Sequence, residues 1–184
     1  MKIVIDLDNT ILDTSNTIIN LYNKINNKNI QINYNELCWD FEPYITKEEL
    51  PSLLKLFDDE RLYDEYFVFP NAIETINEWC KNNEVVICSK HSEKRKQHTM
   101  NWIKKLLPNV SIMFTDTFNK SQIGKVDIVI DDRIDALNSI DSKYKIVYGC
   151  YNWNKHYISL LRVKDWNELK DLINLIINGS EGTI

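Results

Sequence analysis

The sequence predicts a doubly wound α/β fold: a central parallel sheet flanked by helices, with a small helical cap inserted after the first strand. Three observations carry that expectation. Five short runs, KIVIDL, EVVICS, VSIMFT, VDIVIDD and YKIVYG, are almost continuously apolar and rich in Val, Ile or aromatics, as parallel strands covered on both faces should be. Segments of helical periodicity lie between the later runs. Carboxylates, a hydroxyl and lysines gather at or near the ends of the runs.

Taken in order, the first run ends in Asp6 and Asp8. From about Thr14 to Phe69 no convincing strand follows, only helical stretches such as NTIINLYNKINNK and TKEELPSLLKLF. The second has capping-box spacing from Thr46 to Glu49, and Pro51 confines it to a late or kinked start. A structureless loop of this length is improbable in a compact domain, so the interval reads as a helical cap. Expected boundaries are 1–14 and 70–180 for the core and 15–69 for the cap. Next comes NAIETINEWCKN, with Ile73, Ile76 and Cys80 on one stripe and Trp79 beside it. Strand two closes on Ser89 and Lys90. The helix SEKRKQHTMNWIKKLLP starts at an N-cap, Ser92, and stops at Pro108. The basic run KHSEKRKQH reads as a solvated helix face. The last helix, DWNELKDLINLIING, places Trp166, Leu169, Leu172, Ile173 and Ile176 at helical spacing, with Gly179 as a stop and the tail GSEGTI frayed.

Composition bounds the function. The chain has 184 residues, 43% hydrophobic and 27% charged, with net charge −5, which disfavours a general nucleic-acid binder. Met1 and Lys2 run straight into an acid-terminated strand, without the apolar region of an export signal, and no stretch has the length of a membrane span. The expected location is therefore cytoplasmic. Cys38, Cys80, Cys88 and Cys150 show no CxxC pattern and read as reduced and structural. The three histidines form no metal-ligand pattern; a packing or solvated role is expected for each. Trp79, Trp102 and Trp166 read as core. Tyr151, Asn152 and Trp153 are expected to shape the loop after strand five rather than touch substrate.

The polar strand ends define the chemistry. In a parallel α/β sheet, ligands collect beyond the carboxyl ends of the strands. Asp6, Asp8, Asp131 and Asp132 would converge there with Ser89 and a lysine, Lys120 or Lys125. Carboxylates that close repel one another unless a divalent cation joins them, and hard oxygen ligands favour Mg²⁺. Metal, lysine and hydroxyl together suit a phosphoryl group. On an extended strand Asp6 and Asp8 share a face roughly 6.5–7 Å apart, which suits a nucleophile and a general acid/base.

These motifs resemble a known family. DLDNT resembles the DxDx[TV] signature of the haloacid dehalogenase (HAD) superfamily, with a hydroxyl, a lysine and an acidic pair (IVIDDR) following in that family's order. FPNAIETINEW, VVICSKH, MNWIKKLL, DIVIDDR, YNWN and RVKDWNEL together resemble the 5′(3′)-deoxyribonucleotidases, including bacterial and phage members. The resemblance implies a Rossmann-like core with a small helical cap, and Mg²⁺-dependent removal of phosphate from nucleoside monophosphates through an aspartyl-phosphate. It implies Asp6 as nucleophile and metal ligand, Asp8 as acid/base and backbone metal ligand, Ser89 and Lys120 at the phosphate, and Asp132 or Asp131 as metal ligand; Lys90, beside Ser89 at the end of strand two, is a further candidate for the phosphate. Lys120 stands one residue further from the acidic pair than the family's usual interval, which leaves Lys125 as an alternative. The position where the family often sets an aromatic residue against the base falls near Thr14, so Trp39 and Phe41 stand as alternative stacking surfaces. Rival expectations are a HAD phosphatase of a sugar phosphate or a nucleic-acid 3′ end, and a receiver-type switch phosphorylated without turnover. Base preference and oligomeric state, homodimer included, stay open.

Overall fold

A computed structural model of the chain describes residues 1–158 and 160–181. Six strands form one sheet: β1 (Lys2–Ile5), β2 (Glu84–Lys90), β3 (Ser111–Thr115), β4 (Val126–Asp131), β5 (Ser142–Tyr148) and β6 (Leu161–Val163). The order is β3-β2-β1-β4-β5-β6, and every pairing is parallel. The chain winds outward from β1 through β2 to β3, then returns to β4 on the opposite side. The strand order thus reverses between β1 and β4, whose carboxyl ends flank a crevice. β6 was not expected from the sequence. It is three residues long, half-exposed at Leu161 and on the sheet edge, too short for a periodic signal.

The alternation of side chains explains why the strands read as continuous apolar runs. Ile3, Ile5, Ile87, Ile128, Ile130 and Ile146 face one core, completed by α4 (Ala72–Trp79), α5 (Glu93–Leu106) and α7 (Trp166–Glu181). Val4, Val86, Cys88, Val129 and Val147 face the other, under α6 (Ile134–Ser139). Trp79 and Trp166 are buried in the first core, and Trp102 packs against it. Ser92 caps α5, its hydroxyl accepting from the Arg95 N–H at 3.3 Å. α7 runs past Gly179 to Glu181 instead of stopping there, since glycine costs a helix only about 1 kcal/mol relative to alanine. Of the tail expected to fray, residues 182–184 lie outside the described residues.

Between β1 and α4 the chain makes three α-helices, α1 (Thr14–Asn26), α2 (Leu50–Lys55) and α3 (Arg61–Asp64). They bury a cluster of their own, including Ile18, Leu21, Tyr22, Leu37, Phe41, Leu53 and Leu62. Thr46 and Glu49 form the reciprocal capping box before α2, with Pro51 in the first turn. The two ends of this segment meet: Asp13 donates to the Phe67 carbonyl at 2.8 Å and Phe69 to that of Ile11 at 3.0 Å. Among the described residues no helix is long and apolar enough to cross a membrane. The four cysteines are free; Cys88 is buried, whereas Cys150 is exposed.

Two long-range hydrogen bonds fasten the turn after β1. Tyr151 donates its hydroxyl to the Asn9 carbonyl at 2.8 Å, and the Trp166 indole donates to that of Thr10 at 2.9 Å.

Candidate active site

β1 and β4 deliver the acidic residues to the crevice. The Asp6 N–H donates to the Ile130 carbonyl at 2.9 Å, which extends the ladder by one residue and sets Asp6 beside Asp131. β1 ends at Ile5, and Asp8 pairs with Leu12 in an isolated bridge as the chain curls after it: the N–H groups of Ile11 and Leu12 both donate to the Leu7 carbonyl at 3.0 Å, and Asn9 adopts φ +55°. Both carboxylates nevertheless line one cavity of about 280 Å³.

Lys120 is the lysine of the site. It is 2% exposed, and its Nζ lies 2.5 Å from Asp6 Oδ1 and 2.7 Å from Asp131 Oδ2. Its own N–H donates to Ser139 Oγ on α6. Lys125 is elsewhere, before β4 at the amino end of the sheet beside Lys2 and Asp127. A 3-10 turn (Ser121–Ile123) and Gly124 at φ +75° lie between Lys120 and β4.

Asp6, Asp131 and Asp132 each offer an oxygen within 4.8 Å of the others, all buried. One ammonium faces three carboxylates. Burial pushes Asp6 up to about 7 despite Lys120, with Asp131 and Asp8 adding to the rise, and burial likewise raises Asp132 well above the ordinary range. A divalent cation fits this donor set: oxygen ligands only, and an excess of buried negative charge. Asp131 is already engaged on both oxygens, by Lys120 and by the Arg133 N–H at 2.8 Å, whereas among the described residues the Asp132 carboxylate accepts only from the Trp153 indole at 2.9 Å.

Asp8 has a different environment. Arg95 reaches it from α5 in a bidentate pair, 2.9 Å to Oδ2 and 2.6 Å to Oδ1, and Thr14 donates to Oδ1 at 2.6 Å. Burial alone would raise its pKa; the Arg95 guanidinium, His91 and the Thr14 hydroxyl together outweigh burial and hold it at about 2. Arg95 is 5% exposed, donates to the Tyr66 hydroxyl and lies over the Phe57 ring. The basic run is thus not uniformly solvated: two of its members, Arg95 and His91, turn inward. His91 is buried against Phe114, and burial lowers it to about 4, so it is a neutral packing residue at pH 7.

Ser89 and Lys90, the last residues of β2, line the same cavity, as do Thr14, Trp39 and Phe41. Thr14 donates its hydroxyl to Asp8. Trp39, Phe118 and Trp153 form the aromatic wall, with ring centroids 6.4 Å apart for Trp39–Phe118 and 4.6 Å for Trp39–Trp153. Arg133 lies over both Phe118, at 3.7 Å, and Trp39, at 4.5 Å, while Lys90 stands 4.5 Å from the Phe118 centroid. Phe41 and Phe57 close the deeper side. Trp153 lines the cavity, contrary to its expected role as a loop residue alone. Arg95, Arg133, Phe118 and Trp153 all escaped the sequence reading; the only signal was two aromatics close to the acidic strand ends.

A parallel sheet whose first and fourth strands bring paired aspartates to one crevice, with a buried lysine between them, is the core of a HAD-type hydrolase. The chain matches the model of the family described as 5′ nucleotidase, deoxy (pyrimidine), cytosolic type C protein over residues 1–178, and it belongs to that family. It is similar to a 5′(3′)-deoxyribonucleotidase of Clostridium acetobutylicum, 25% identical over 134 residues, 73% of each chain. Among solved structures it resembles a HAD-like hydrolase of Streptococcus pneumoniae (TM-score 0.62, 14% identity, 95% of this chain and 97% of that one). It also resembles a HAD hydrolase of Bacillus subtilis solved with magnesium (TM-score 0.59, 13% identity, 94% and 98%). The chain is a HAD-superfamily phosphatase of nucleotidase type.

Proposed function

We propose that the protein is a Mg²⁺-dependent phosphomonoesterase of nucleoside monophosphates, (deoxy)pyrimidine nucleotides among them, working through an aspartyl-phosphate on Asp6. One observation carries the reading: the buried group of Asp6, Asp131 and Asp132 around Lys120 opens directly into an aromatic-walled cavity. Charge chemistry sits at one end and a surface for a flat ring at the other. Asp6, Asp132 and the Asp8 carbonyl would hold Mg²⁺, with Asp131 kept in place by Lys120. Bound there, the ion would offset the charge of the phosphoryl oxygens and of the carboxylates.

The residues then divide the work. Lys120, Lys90 and the Ser89 hydroxyl hold the phosphoryl oxygens. The Asp6 carboxylate forms a bond to phosphorus as the ester P–O bond breaks, and Asp8 gives its proton to the departing alcohol. In the second half Asp8 takes a proton from water, which attacks the aspartyl-phosphate and releases inorganic phosphate. Arg95 keeps Asp8 ionised in the free protein. A phosphate dianion arriving beside it favours uptake of the proton that the first half needs. Residues 15–69 serve as the cap that walls the cavity with Trp39, Phe41 and Phe57, restricting it to small esters.

Phosphate release from a panel of nucleoside monophosphates and sugar phosphates, with Mg²⁺ and with EDTA, tests this. Turnover of nucleotides that requires Mg²⁺ and vanishes in Asp6→Asn is expected. An equally active, folded Asp6→Asn protein would remove the mechanism, and faster release from ribose 5-phosphate than from any nucleotide would remove the substrate class.

A further inference from the structure

The loop after β5 does more than enclose the cavity. Trp153 directs its indole N–H to Asp132 Oδ2 at 2.9 Å, the sole hydrogen bond to that carboxylate among the described residues. The next residue, Asn154, is fully buried and donates from Nδ2 to the Asp132 carbonyl at 2.9 Å and to the Tyr148 carbonyl at 3.2 Å. Asp132 is therefore gripped by side chain and main chain from two adjacent residues. The grip is itself braced: Arg162 donates to Asn154 Oδ1 at 2.9 Å, and the Trp153 ring stacks on Tyr151 with centroids 4.7 Å apart. Tyr151 packs so closely over Gly149 that a Cβ there would stand 2.5 Å from its ring. The other face of the matter is the ring of Trp153, which touches Trp39 and lines the cavity.

We infer that Trp153 is a positioning residue that joins the two halves of the site, its N–H fixing Asp132 for the metal and its ring forming the wall for the apolar part of the substrate. The inference rests on the metal-dependent reading above. Outer hydrogen bonds to a metal-binding carboxylate fix its orientation, and losing one weakens metal affinity about 10–100-fold. Because a single rigid side chain serves both partners, the two functions separate only by substitution: Phe keeps a ring and loses the donor, whereas Leu loses both.

Calorimetric titration of Mg²⁺ into the substrate-free protein reads the first function, with a thermal melt confirming that each variant is folded. Wild type should bind Mg²⁺, and Trp153→Phe should bind it about tenfold more weakly or worse. The ratio of kcat/KM for a nucleoside monophosphate over ribose 5-phosphate reads the second. At saturating Mg²⁺ that ratio should persist in Trp153→Phe and fall in Trp153→Leu, an effect that general loss of structure would not produce. Independently of any variant, indole emission of the wild type should change on adding Mg²⁺, and the change should shrink in Trp153→Phe. If wild type binds no Mg²⁺, the metal-dependent reading fails and this inference with it. If wild type binds and Trp153→Phe binds within about twofold, or if wild-type emission does not respond, the role of Trp153 is overturned while the phosphatase reading stands.

Discussion

Arg95 and Asp8 offer the sharpest test of the site's electrostatics. Holding Asp8 at about 2 instead of 3.8 corresponds to about 2.5 kcal/mol. Its side chain is 23% exposed, so solvent screening trims this to about 2 kcal/mol. Because the folded-state pKa is depressed, that stability is present above pH 3.8 and is lost as pH falls through about 2. Arg95→Met should therefore lower unfolding free energy at pH 7 by at least about 2 kcal/mol, a melting shift of about 4–8 °C for a chain of this size. The difference should narrow as pH falls from 4 towards 2. What persists at low pH is the lost contact with Tyr66 and Phe57, which carries no titrating charge. Urea unfolding in metal-free buffer of wild type, Arg95→Met, Asp8→Asn and the double variant measures the pair as a cycle. A coupling below about 0.5 kcal/mol, or a wild-type-to-variant gap unchanged between pH 7 and 2, would refute the reasoning.

Three further outcomes follow from the same charges and walls. Asp6 is raised to about 7 by burial, with Asp131 and Asp8 adding; its stabilising contribution is full below 3.8 and disappears as pH rises through about 7. In EDTA, Asp6→Asn should accordingly melt above wild type near pH 8 and converge with it near pH 4, a pattern that differential scanning calorimetry resolves. Lys120→Met leaves Asp6 and Asp131 facing each other without a cation and should cost about 3–5 kcal/mol near pH 8, with recovery on acidification as the carboxyls protonate. Trp39→Ala should raise KM for nucleotides about tenfold, since stacking contributes about 1–3 kcal/mol per base. KM for ribose 5-phosphate should barely move, and equal rises for both would discount stacking.

The parts of the fold that the sequence reveals are those fixed by local pattern. Five strands and the helices that separate them follow from apolar runs and caps, and Ser92 begins α5 as its residue type demands. Asp6, Ser89, Lys90 and the acidic pair stand at strand ends, so one rule about parallel sheets brings them together. What stayed hidden depends on partners distant in the chain. Arg95 lies 87 residues from Asp8, inside a basic run whose other members give no hint that it turns inward. Trp153 looks like any loop aromatic until β5 sets it beside β4. Spacing alone left Lys120 and Lys125 as rivals; only the turn at 121–123 decides, by reversing the chain so that the first faces the acids and the second the far edge. Asp8 left the strand because the Leu7 carbonyl captured the following N–H groups, a backbone choice that no side-chain pattern announces.

The fastening of Asn9 and Thr10 by Tyr151 and Trp166 bears on biosynthesis. Asp6 is synthesised long before either anchor, and the bend beside it is fastened only once the chain has grown 142 residues beyond Asn9 and 156 beyond Thr10. A nascent chain is thereby denied competence until both anchors have been made, and no fragment ending before Tyr151 should acquire it.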